Sequence, residues 1–169
     1  MSFDPVATLD MSTPDAKRAS YALLLAQVRA VLEGERDWLA NLAQFAALVF
    51  NAVPDLNWAG FYLARGEELV LGPFQGKPAC VRIAIGKGVC GTAARDKRTT
   101  VVPDVGKFPG HIACDSASRS EIVVPVMRNV DVIGVLDLDS PSLARFDADD
   151  AAGLEELASL FVLATDLGS

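Results

Sequence analysis

Several things are scarce in these 169 residues, and each scarcity excludes something. No apolar stretch approaches the roughly 18 uncharged residues that a membrane span requires. Lysine and arginine never form a run, and 22 acidic against 15 basic residues leave a net charge of −7. Such a chain repels phosphate backbones and anionic lipid, so nucleic acid and membrane surfaces are poor partners. The opening Met-Ser-Phe-Asp-Pro lacks a basic region followed by an apolar one, so no secretory signal is read and a cytoplasmic location is expected. Three cysteines cannot all pair within one chain, and stable disulfides are rare in the cytosol. Inert, metal-binding and redox-active thiols therefore all remain open.

What is present fits a single domain spanning 1–169. Apolar residues make up 51% of the chain, too many for a disordered one. Thr13-Pro14-Asp15 reads as a helix start, with a capping hydroxyl, a proline at the first position and an acid in the first turn. Tyr21, Leu24, Leu25, Val28, Val31 and Leu32 follow at helical spacing until Gly34. A second helix is expected over 37–51, with Leu39, Leu42, Ala46, Val49 and Phe50 on its apolar side. From Asn57 onward, short β-prone runs begin at Trp58, Leu69, Ala79, Thr100, Ile122 and Val132, separated by turn residues. Residues 88–95 read as a short helix after a glycine turn. The last helix covers about 147–166, its inner face carrying Leu154, Leu157, Phe161 and Ala164. The order predicts an α+β fold: a mainly antiparallel central sheet of about six strands packed by N- and C-terminal helices. Residues 107–120 show no period, and a loop of that length inside a domain is usually functional or disordered.

Candidate chemistry gathers in the middle and last thirds. Cys80 is expected to open its strand or sit early in it. Cys90 falls at the N-terminal end of the short helix, where unpaired N–H groups and the dipole favour a thiolate. Cys114 lies in the long loop, three residues after His111, the single histidine. Asp137 and Asp139 continue the face of Ile133 and Val135, and two like charges there would raise at least one pKa unless a cation is bound. Glu121, heading the preceding strand, could join them. A solvated strand end accounts for the same pattern. Cys80, Cys90, His111 and Cys114 also make a legitimate tetrahedral zinc set, weakened by the lack of a Cys-x-x-Cys pair.

Six segments carry a resemblance: Trp58-Ala-Gly-Phe-Tyr, Leu71-Gly-Pro-Phe-Gln-Gly, Gly86-Lys-Gly-Val-Cys-Gly-Thr-Ala, Phe108-Pro-Gly-His-Ile-Ala-Cys-Asp, Ser118-Arg-Ser-Glu-Ile-Val-Val-Pro and Val135-Leu-Asp-Leu-Asp-Ser-Pro. Together they resemble the free methionine-(R)-sulfoxide reductases, a GAF-domain family, over a core of about 20–163. The cysteine spacing, ten residues and then twenty-four, is similar to that family's pattern. The resemblance implies a GAF-like domain that reduces free methionine sulfoxide with cysteine thiols and no cofactor or metal. It implies Cys114 as nucleophile and Cys80 as its resolving partner, joined as a redox disulfide. Cys90 remains the alternative nucleophile, since its helix-terminus position favours a thiolate. Glu121, Asp137 and Asp139 would supply the acid for the sulfoxide oxygen and the counter-charge for the substrate ammonium. Trp58 would pack on the S-methyl end, with Tyr62 beside it in the binding set. A thioredoxin-type reductant and a homodimer are the implied partners. The alternative is a small-ligand-binding regulatory GAF module without catalysis.

Overall fold

The computed structural model describes residues 7–112 and 115–166. Helix α1 (Pro14–Leu32) begins where the Thr13 side chain accepts from the Ala16 N–H at 3.1 Å, and Pro14 occupies a position whose N–H would have no partner. Helix α2 (Trp38–Ala52) starts at Asp37, which accepts from Ala40 N at 2.8 Å. Its buried stripe is Leu42, Phe45, Ala46 and Val49; the expected Leu39 is 52% exposed instead. Phe45 takes its place because the stripe is set by the ring's contacts. It meets Phe61 edge-on at 5.2 Å and Phe161 at 6.2 Å.

Six strands follow: β1 (Trp58–Arg65), β2 (Glu68–Gly76), β3 (Arg82–Ala84), β4 (Thr100–Val102), β5 (Ser120–Arg128) and β6 (Asp131–Ser140). They form one sheet in the order β3-β2-β1-β6-β5-β4, with each described pairing antiparallel. This is the expected α+β arrangement. Two strand expectations need correction. β2 runs on through Gly72 and Pro73, because a register shift opposite Gly60 and Tyr62 absorbs them. β3 is only three residues long, so Cys80 lies in the segment before it and not within it.

Helices α1, α2 and α4 (Ala148–Ala164) cover one face of the sheet, where Leu24, Phe45, Phe61, Leu136, Leu138, Leu154 and Phe161 are buried. Each such side chain contributes about 1.5–3 kcal/mol. Helix α3 (Gly88–Asp96) packs on the other face with Tyr62, Leu69, Val123 and Val135. Gly91 allows its close approach, since a Cβ there would sit 2.4 Å from the Ala84 carbonyl oxygen. Strand alternation thus sends Leu136 and Leu138 to the first face and Val135 to the second. Ile133, expected alongside Val135, packs with the first cluster: β6 spends two residues opposite one step of β5 at Val126/Met127.

Candidate active site

The side chains of Asp137 and Asp139 emerge within the sheet, not at a frayed strand end. Asp137 is paired with Gly60 on β1 and Val123 on β5; Asp139 is paired with Trp58 and Glu121. Glu121 and Asp137 are 6% and 5% exposed, which rules out the solvated strand-end reading. Directly opposite positions bring Cβ atoms to about 4.5–5.5 Å, so Glu121 and Asp139 face each other as two carboxyl groups.

Helix α3 lays its first turn over these acids. The Cys90 thiol donates to Asp137 Oδ2 at 3.3 Å and stands 3.9 Å from Glu121 Oε1. His111 Nε2, from the long loop, lies 3.6 Å from Glu121 Oε2. Trp58 stacks on Tyr62 at 5.9 Å and on Phe74 at 5.2 Å, and its indole N–H donates to the Lys77 carbonyl at 3.2 Å. The Phe74 position depends on Gly60, where a Cβ would meet Phe74 at 2.3 Å. The Tyr62 hydroxyl donates to the Cys80 carbonyl at 2.9 Å. Around them closes a small cavity lined by Trp58, Tyr62, Cys90, His111, Glu121, Asp137 and Asp139, among others.

Charge in this cavity is strongly disfavoured. Burial raises the carboxyl pKa of Glu121 well above the ordinary range, and the Asp139 charge adds to it. Burial and the Glu121 charge do the same to Asp137; burial and the Asp137 charge do so to Asp139, partly opposed by a hydrogen bond from Ser118. Burial lowers the pKa of His111, so its contact with Glu121 is between two groups that both tend to be neutral. The Cys90 thiol is likewise pushed up, first by burial and then by the Asp137 and Glu121 charges. Burial first, and then the acids across from it, oppose the Cys90 thiolate that the helix terminus would favour.

Trp58, Tyr62, Cys90, Glu121, Asp137 and Asp139 line one cavity. Cys80 is disulfide-bonded, so it offers no thiolate to the four-ligand zinc set. Cys114 lies outside the described residues. Cys90 is a free, buried thiol, and with Glu121 and Asp137 it presents three ligand atoms within 4.8 Å of one another. Sequence reasoning missed Asn57, whose amide donates to Asp115 Oδ2 at 3.1 Å and Ser118 Oγ at 2.9 Å, fastening the loop to the head of β1. The serines and aspartates of that loop were its only signal. No helix of the described residues is long and apolar enough to cross a membrane.

Residues 39–166 match the family model described as GAF domain. The free methionine-R-sulfoxide reductase of Escherichia coli (strain K12) is 50% identical over 151 residues, covering 88% of this chain and 92% of that one. The protein of the same name from Saccharomyces cerevisiae is 48% identical over 145 residues, 81% of each chain. Among solved structures, the free methionine-R-sulfoxide reductase from Neisseria meningitidis in complex with its substrate superposes with a TM-score of 0.87, at 47% identity and 95% coverage of both chains.

Proposed function

The chain belongs to the free methionine-R-sulfoxide reductases of the GAF-domain family, and from that premise we propose that it reduces free L-methionine-(R)-sulfoxide to methionine through cysteine thiols. The observation that carries the reading is the buried group of Glu121, Asp137 and Asp139 beneath Cys90, beside the Trp58–Tyr62 stack. Carboxyl groups whose pKa is raised keep their proton to higher pH than ordinary ones, and a proton is what a sulfoxide oxygen must receive as its bond to sulfur breaks. Once ionised, the same groups supply the counter-charge for the substrate ammonium. The aromatic stack gives the S-methyl end an apolar wall.

Cys114 attacks the sulfoxide sulfur as thiolate, methionine leaves, and Cys114 becomes a sulfenic acid. Cys80 displaces water from that sulfenic acid and forms the disulfide, so one sulfoxide and two thiols give one methionine, one disulfide and one water. A thioredoxin-type reductant then restores both thiols by exchange. The engaged state of Cys80 and the high pKa of Cys90 both favour this assignment over Cys90 as nucleophile. A homodimer and a cytoplasmic location complete the proposal.

The test uses resolved epimers of free methionine sulfoxide with the reduced protein and no added reductant. The R epimer should release one methionine per chain while two thiols disappear; the S epimer and peptide-bound sulfoxide should not react. Cys114→Ser should abolish that single turnover, and Cys80→Ser should keep it but accumulate a trappable sulfenic acid. Loss of the burst in Cys90→Ser with retention in Cys114→Ser would transfer the nucleophile to Cys90. Binding without methionine release would leave only the regulatory-module alternative.

A further inference from the structure

Asp137 is 5% exposed and its Oδ1 has no hydrogen-bond partner among the described residues, although it borders a cavity also lined by the carboxyl groups of Asp115, Glu121 and Asp139. A buried polar atom left in this state costs free energy until something occupies the space before it. Cys90 Sγ lies 3.3 Å from Asp137 Oδ2 and 3.9 Å from Glu121 Oε1, and one atom from each of the three residues falls within 4.8 Å of the others. Tetrahedral zinc, with bonds of about 2.3 Å to sulfur and 2.0–2.2 Å to oxygen, holds its ligand atoms roughly 3.3–3.8 Å apart. Small side-chain rotations span the difference. One thiolate with two carboxylates suits Zn²⁺ better than Mg²⁺ or Ca²⁺, which take oxygen ligands alone.

We propose that Cys90, Glu121 and Asp137 form a binding site for one Zn²⁺ ion, its fourth position facing the cavity, and that the bound ion keeps the substrate out. On ligation the thiol, and either carboxyl group that holds a proton, gives that proton to solvent, and no electron transfer is involved. The metal site does not depend on the reductase reading; only the exclusion of substrate does. Zn²⁺ and a substrate ammonium would compete for the same buried carboxylates.

Titration of the full-length protein with Co²⁺ as a spectroscopic stand-in, with thiols kept reduced by a phosphine, tests this directly. One equivalent should bind with a thiolate-to-cobalt charge-transfer band, and one equivalent of Zn²⁺ should erase it. Cys90→Ser should lose the band, Cys80→Ser should keep it, and Asp137→Asn should weaken binding at least about tenfold. Circular dichroism checks each fold, and the isosteric Asp137→Asn decides the matter if Cys90→Ser does not fold. No stoichiometric binding, or a band lost in Cys80→Ser and kept in Cys90→Ser, would overturn the site. In a parallel assay, added Zn²⁺ should inhibit methionine release competitively and a chelator should restore it. Tight metal binding without inhibition would overturn the exclusion of substrate. Inactivity of the metal-free protein would count against the reductase reading and leave the metal site untouched.

Discussion

At Glu121, Asp137 and Asp139, burial opposes ionisation before any neighbour is considered, and their mutual repulsion adds to it. Their folded-state pKa values therefore exceed the ordinary 4.5 of glutamate and 3.8 of aspartate, so the folded protein binds more protons than the unfolded chain. Stability from these groups is complete below those ordinary values and is lost as pH rises through the folded ones. Glu121→Gln and Asp137→Asn should thus raise the melting temperature at pH 8 more than at pH 5, while slowing turnover by about 10²–10⁴-fold. Thermal melts at both pH values, paired with the methionine assay, check this. A gap that shrinks with pH would show that the acids are ionised and satisfied without substrate. The pairing of Asp137 with Asp139 was readable because period-two alternation is local. The fate of Cys90 was not. Its place at the start of α3 is visible in the sequence, but the acids of β5 and β6 beneath it are fixed only by packing.

Among the elements, α1 and α4 are joined by a buried ionic knot. Lys17 Nζ donates to Asp150 Oδ2 at 2.7 Å and to Asp147 Oδ2 at 2.8 Å; the Tyr21 hydroxyl and Arg145 Nη1 reach Asp150 Oδ1 at 2.8 and 3.3 Å. Burial lowers the pKa of Lys17, but its bonds to Asp147 and Asp150 and their charges outweigh that, so it is raised on balance. Asp150, fully buried, also closes the α4 capping box with Asp147. Lys17→Met should cost about 3–5 kcal/mol in denaturant unfolding, because it strips a partner from a buried charge. A loss below about 1 kcal/mol would show that Arg145 alone suffices. The cap of α1 was legible, since Thr13 acts within three residues of itself. Long-range contacts were not: nothing local to Asp150 pointed to Lys17, 133 residues away. A related limit explains Phe45, Ile133 and the Gly72-Pro73 passage of β2, each decided by a residue of another element and not by its own segment.

For the molecule as a whole, one sheet separates stability from chemistry. Its helix-covered face buries the larger apolar cluster, and its opposite face holds ionisable groups under a short helix and a long loop. Occupying the second face should therefore stabilise the entire domain, because a ligand ammonium relieves repulsion among Glu121, Asp137 and Asp139. A ligand that binds only the folded state adds about 2.7 kcal/mol at one hundred times its Kd. For a domain of this size that amounts to roughly 5–11 °C in Tm. Free methionine, the expected product, should raise the Tm when added in such excess, and the rise should grow from pH 5 to pH 8 as the carboxyl groups lose their protons. N-acetylmethionine has the same thioether but no ammonium, so it should leave the Tm nearly unchanged. Differential scanning calorimetry of the reduced protein with each compound makes the comparison. Equal shifts from both would mean that the acids do not bind the amino group, and their role would contract to proton donation alone.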